Sequence, residues 1–288
     1  MRLSKFLPAS LRKTDTVIPV VRMQGAIMAN SSALRQNLSL ASVAGPLKRA
    51  FDMKDAPIVA ISVNSPGGSP VQSRLIYSRI RELAEEKQKR VLIFVEDVAA
   101  SGGYMIALAG DEIIADETSI LGSIGVVAAT FGFVEAINKL GVERRVYTAG
   151  KNKVSMDPFQ PEKKTDIAHI KMLQEDIHEI FIDMVKDRRG TKLSDDPDIF
   201  TGMYWTGRPA KERGLIDGFG HMSAVLKERY GKKTKLVLMQ TKKNFFGRPV
   251  GAVDAGLSSS IGHDIANTIP GSIASEVEER ALWARYGL

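Results

Sequence analysis

Apolar positions along the chain recur with two different periods. Ile58–Val63 (IVAISV) and Val91–Val95 (VLIFV) are unbroken β-branched runs of the kind buried on both faces of a sheet. Val17–Val21 and Ala26–Met28 predict short strands about a turn at Gln24-Gly25, and Glu112–Ala115 and Arg145–Thr148 two more. Helical spacing follows each buried run. After NSPGG, Ser69 is placed to N-cap a helix with Pro70 at its first position, and Val71, Leu75, Ile76, Ile80 and Leu83 give it one apolar face. A second helix is predicted over Ala99–Leu108. The clearest runs from Lys164 to Asp187, where Ile167, Ile170, Leu173, Ile177, Ile180, Phe181 and Met184 share a face and Gly190 supplies a stop. Strand and helix alternate, so the expected fold is α/β, a mostly parallel sheet with covering helices. Ligand sites in such sheets lie beyond the carboxyl ends of the strands, where NSPGG and EDVAASGG fall.

Three pieces are expected along the 288 residues: a basic N-terminal segment (1–15), one domain (16–240) and a C-terminal tail (241–288). The tail is rich in Gly, Ser and Pro from Asn244 to Ile273, and Ser275–Leu288 could close it with a short amphipathic helix around Val277, Leu282 and Trp283. The most membrane-like run, Ile120–Val134, carries three glycines and ends at Glu135, short of a span, and is expected to be buried core. No apolar core follows the basic start as a signal peptide requires. The chain is therefore expected to be cytoplasmic, with a peripheral contact to the inner membrane open to its basic first residues.

Composition removes several chemistries. There is no cysteine, hence no disulfide, thiolate nucleophile or cysteine zinc site. The four histidines, His169, His178, His221 and His263, show no metal-ligand spacing, and neither a metal nor a cofactor is expected. His169 and His178 lie nine apart on one helix, off a common face, and are expected at the surface. The formal charge of +7 is spread among acids and lacks basic–aromatic interleaving, so nucleic acid is not an expected partner.

Two glycine turns can carry chemistry: Ser65-Pro66-Gly67-Gly68 and Ser101-Gly102-Gly103-Tyr104. A serine opening a helix exposes its hydroxyl beside free backbone N–H groups, which can stabilise the oxyanion formed when it attacks a carbonyl. The Gly102 N–H is one natural donor and a glycine of the first turn the other. Either turn alone is explained by ordinary turn chemistry. The GxSxG elbow is absent around Ser101, and no histidine falls near these strand ends, so lysine is the remaining candidate base. A lysine must be neutral to accept a proton, which calls for burial or a neighbouring cation. Lys153, after the predicted strand Arg145–Thr148 and before Val154–Phe159, suits that better than most. Lys151 lies two positions away, and composition does not choose between them.

Taken together, NSPGG at 64–68, ASGGY at 100–104, GSIGV at 122–126 and GKNKVSMDPF at 150–159 resemble the bacterial signal peptide peptidase A family, within the Clp protease and crotonase-like superfamily. The resemblance covers roughly Val17 to Gln240. It implies Ser101 as nucleophile, Lys153 as general base, Gly68 and Gly102 as oxyanion-hole donors and Ser123 as the hydroxyl that orients the lysine amine. It implies an endopeptidase acting on unfolded or extended hydrophobic peptides through an acyl-enzyme, in a homo-oligomeric ring. The segment Trp205–Gly220 (WTGRPAKERGLIDGFG) resembles a late, structural motif of the family. Family members commonly carry a transmembrane anchor before the domain, and none is read here. Two other functions fit such glycine turns: a crotonase-like acyl-CoA enzyme, which needs no Ser–Lys pair, and a non-catalytic scaffold, which needs no Ser101.

Overall fold

In a computed structural model, residues 15–29, 37–240 and 279–288 are described. The expected basic segment, save Asp15, and the tail up to residue 278 lie outside them. The strands are β1 (Val17–Gln24), β2 (Ile58–Ser65), β3 (Arg90–Ala100), β4 (Glu112–Ala115), β5 (Ile120–Gly122), β6 (Tyr204–Thr206), β7 (Gly218–Phe219) and β8 (Lys235–Leu238). The helices are α1 (Leu40–Phe51), α2 (Pro70–Lys87), α3 (Gly102–Ala107), α4 (Val134–Lys139), α5 (Lys164–Arg189), α6 (Gly207–Glu212) and α7 (Met222–Tyr230). The sheet runs β6-β5-β3-β2-β1-β8, with β4 pairing β3 beside β5 and β7 pairing β4. Every pairing among these strands is parallel except β5–β6.

Alternation within the apolar runs fills both faces of the sheet, as their composition predicts. Val59, Ile61 and Val63 of β2 and Val91, Ile93 and Val95 of β3 point to the larger core beneath α1, α2, α3 and α5. Ile58, Ala60, Leu92 and Phe94 point to the smaller one, closed by Leu226 of α7. Ser69 caps α2 by accepting from the Gln72 N–H, with Pro70 in the first turn. The third strand is longer than the sequence suggests and bends at a bulge: Val63 pairs with Val95, but Ser65 with Ala99. Asn64 holds the bulge, its amide donating to Asp97 at 2.6 Å and accepting from the Val98 N–H at 3.2 Å. The bend lets β3 pair with β4 along one half and β5 along the other.

Three expectations change here. Residues 99–100 are strand, so the helix begins at Gly102. The run Ile120–Val134 is core only as far as Ile124; Val127 and Phe131 are 61% and 78% exposed. Arg145–Thr148 forms no strand and is exposed except for the half-buried Val146. Residues 126–163 form an arm that packs mainly on itself, through a Phe131–Phe133–Phe159 ring cluster, Arg144 over Phe159, and a Phe133 N–H bond to the Pro158 carbonyl. The sequence there is apolar enough for a core, but the arm pairs with no strand of the described sheet.

Candidate active site

The register of the sheet brings the distant motifs together. Ala100 at the end of β3 pairs with Gly122 at the end of β5, so the next residues, Ser101 and Ser123, are neighbours at the same sheet end. The Ser101 N–H donates to the Gly122 carbonyl at 2.9 Å, and the Ser123 N–H to Met203 at 2.7 Å. Both serines have positive φ, 52° and 53°. A non-glycine residue is strained there, and such strain persists only where the surroundings fix it. Ser101 combines that φ with ψ of −122° as it opens α3. A strained strand-to-helix turn is thus present although the GxSxG spacing is not.

Glycine is required on both sides of this serine by close approach. A Cβ on Gly67 (φ +102°) would sit 2.8 Å from the Ser101 Cβ and 3.0 Å from the Gly102 nitrogen. On Gly68 it would strike the Ile27 carbonyl, and on Gly102 the Ser73 hydroxyl. The first turn is tied down by the Ile27 N–H bond to the Gly67 carbonyl (2.8 Å), the Ser69 N–H bond to the Ile27 carbonyl (2.7 Å) and the Ser65 hydroxyl on the Gly25 carbonyl (2.7 Å). The N–H groups of Gly68 and Gly102 take no part in these bonds. Gly68, Ser101 and Gly102 open together on a cavity of about 570 Å³. Its apolar wall includes Met105 of α3, Ile177 and Phe181 of α5, and Val126 at the root of the arm. The helical period of α5 shows that Ile177 and Phe181 face inward; only the fold shows that they face this cavity.

Lys153 stands apart. It lies in a turn of the arm, exposed, its N–H bonded to the Gly150 carbonyl at 3.2 Å. Neither it nor Lys151 lines the Ser101 cavity. Among the described residues no hydrogen bond or ion pair holds either ammonium. One chain therefore unites Ser101, Ser123, Gly68 and Gly102 but not the lysine. Nor is His178 a plain surface residue: it is half-buried, and its Nε2–H donates to the Ile124 carbonyl at 3.0 Å, tying α5 to the loop after Ser123. His169 is exposed, as expected.

Behind the site, the Leu215-Ile216-Asp217 segment of the late motif anchors the scaffold. Tyr104, fully buried in α3, donates its hydroxyl to the Leu215 carbonyl at 2.7 Å, and burial pushes its phenol far up. Asp217 accepts from Arg189 at 2.9 Å, Lys192 at 2.6 Å and the Ile113 N–H at 2.8 Å. Desolvation raises its carboxyl, but the Arg189, Lys192 and Ile113 hydrogen bonds outweigh it and bring the group down to about 2. The motif is structural, as the sequence suggests. Groups of three or more metal-ligating side chains are absent among the described residues, as are helices long and apolar enough to cross a membrane.

Residues 83–235, just over half of the chain, match Peptidase family S49. The chain is 58% identical over 286 residues to a Brucella abortus protein named Na(+)/H(+) antiporter NhaA, a match covering 99% of this chain and 39% of that one. It is 30% identical over 181 residues to the chloroplastic serine protease SPPA of Arabidopsis thaliana, covering 62% of this chain and 26% of that one. The chain thus spans less than half the length of either relative. Among solved structures, a membrane-bound stomatin-specific protease aligns with a TM-score of 0.47 at 16% identity, over 80% of this chain and all of the other.

Proposed function

This chain belongs to peptidase family S49, and from that premise we propose that it is a serine endopeptidase working through Ser101 and a lysine of the arm, Lys153. The observation that carries the proposal is Ser101 itself: a strained serine at a helix start, beside two uncommitted glycine N–H groups, on an apolar cavity. In this mechanism the Ser101 Oγ bonds to the carbonyl carbon of an extended peptide and gives its proton to the neutral lysine amine. The carbonyl electron pair moves to oxygen, where the Gly68 and Gly102 N–H groups stabilise it. Collapse breaks the C–N bond as the lysine returns the proton to the leaving amine, and water then cleaves the acyl-enzyme by the same steps in reverse. Met105, Ile177 and Phe181 suit an apolar residue before the scissile bond. The relative from Arabidopsis carries the name of a serine protease, in line with this chemistry.

A lysine acts as a base only when desolvated or beside another cation, and Lys153 of the single chain is exposed. The arm also shows more apolar surface than a lone chain has use for, with Leu140 77% and Tyr147 90% exposed. A homo-oligomer accounts for both: the arm packs on a neighbouring copy and delivers Lys153, desolvated, to that copy's Ser101 and Ser123. Substrates are unfolded or extended hydrophobic peptides, which alone can thread such a covered cavity. The test is Ser101→Ala assayed on a denatured protein, with products sequenced by mass spectrometry. Loss on the order of a million-fold in turnover, with the fold unchanged, is expected. Wild-type turnover in the purified variant overturns the mechanism.

A further inference from the structure

Part of the Ser101 cavity wall comes from neither the glycine turns nor α5. Residues 279–288, helical over 279–284, lie against the carboxyl ends of β3 and β5, and Ala281, Leu282 and Arg285 line the cavity. Tyr286 is 8% exposed and packs with Trp283 on Val98, Ala100 and Ile120, the strand residues leading to Ser101 and Ser123. Its ring stands edge-on to Tyr204 with centroids 5.0 Å apart, and the Tyr204 hydroxyl donates to the Arg285 carbonyl at 3.1 Å. Leu282 and Arg285 therefore share the cavity with Ser101, Gly68 and Gly102 and stand where an extended peptide must lie.

We propose that residues 279–288 are an intramolecular plug, which closes the Ser101 cavity until an extended apolar peptide displaces it. The inference rests on the Ser–Lys reading for its consequence, but not for its geometry. Two features make the plug removable. Its seat on the sheet is a small separate cluster rather than part of the main core. Arg285 is exposed and Leu282 and Trp283 are only half-buried, so Tyr286 is the one buried residue of the segment. The backbone bonds of Ser101 to Gly122 and of Ser123 to Met203 are made outside the segment, so its departure breaks neither.

The experiment uses the full chain and two readouts. In the first, Tyr286→Ala and Leu282→Glu are assayed with a short Leu- and Ala-rich peptide carrying a fluorescent leaving group. Removing the buried ring or unseating the helix should raise kcat/KM about five- to tenfold. Where the parent hydrolyses the peptide, variants with native circular dichroism whose rates do not exceed the parent's overturn the plug. The second needs no turnover. The chain has no cysteine, so Leu282→Cys in a Ser101→Ala background gives a unique thiol at the seat. Saturating peptide should speed its alkylation several-fold as the segment leaves. Protection of the thiol, or an unchanged rate, means that the segment is a permanent wall and overturns the proposal. If the peptide exposes the thiol but no version hydrolyses it, the plug stands and the Ser101 mechanism falls.

Discussion

Two regions of this molecule carry the residues that the proposed reaction needs and are built in opposite ways. The sheet-end turns around Gly67, Gly68, Ser101 and Ser123 are fixed by close contact, each glycine pressed on backbone or side chain and each serine strained and bonded. The arm from residue 126 to 163 is held by a few aromatic contacts of its own and leaves large apolar side chains in solvent. Preorganisation belongs where the nucleophile and oxyanion donors sit, because their geometry must exist before substrate arrives. A base that has to be desolvated can instead be supplied when copies assemble. The difference is the one the proposed assembly predicts: a fixed nucleophile in the chain and a base that arrives with a neighbouring copy.

The comparison is broken most severely in the rigid region. Gly68→Ala places a methyl on the Ile27 carbonyl at a φ of +136°, so it should cost about 3–5 kcal/mol and remove activity, as denaturant melts and peptide assays would register. Asp217→Asn should cost about 3 kcal/mol by leaving the Arg189 guanidinium, 4% exposed, short of its charged partner. Its pH dependence has a definite sign. The Asp217 carboxyl is lowered to about 2 in the folded chain, so its stabilisation is complete above the ordinary carboxylate value and is lost as pH falls toward 2. Acid melts of parent and Asp217→Asn should therefore converge below that value. The mildest effect on the fold is expected in the arm. Leu140→Ser should change the stability of the isolated chain by no more than about 0.5 kcal/mol, since nothing there is buried, while weakening assembly in sedimentation runs. A large loss of fold stability in Leu140→Ser would erase the contrast between the regions.

How far the sequence could be read follows the same division. Strands β2 and β3, helix α2 with its Ser69 cap and the long α5 are legible because periodicity and capping are local. Ser101 and a glycine of the first turn are legible as turn chemistry, and the resemblance to the peptidase family singles out Gly68 and Ser123. That Ser101 and Ser123 meet depends on the Ala100–Gly122 register, which no local pattern states. α1 goes unread despite the Ser39–Ser42 capping box, partly because Pro46 interrupts its pattern. The arm misleads most. Its apolar run reads as core because composition does not say what covers it, and in the single chain Val127 and Phe131 are exposed. The contribution of residues 279–288 to the cavity is invisible in the sequence: Leu282 and Trp283 suggest an amphipathic helix but not its seat.

The central claim, that one copy supplies Ser101 and its neighbour Lys153, is tested most directly by mixing two dead variants. Ser101→Ala and Lys153→Ala are each expected to be inactive alone, whereas Lys151→Ala keeps most of its activity. Mixed, dissociated and reassembled, the two dead variants should regain up to about a quarter of parental turnover, the share of random contacts that join an intact Ser101 to an intact Lys153. Mixed assemblies confirmed by native mass spectrometry that remain inactive would contradict the account, as would a Lys153→Ala protein that is active by itself.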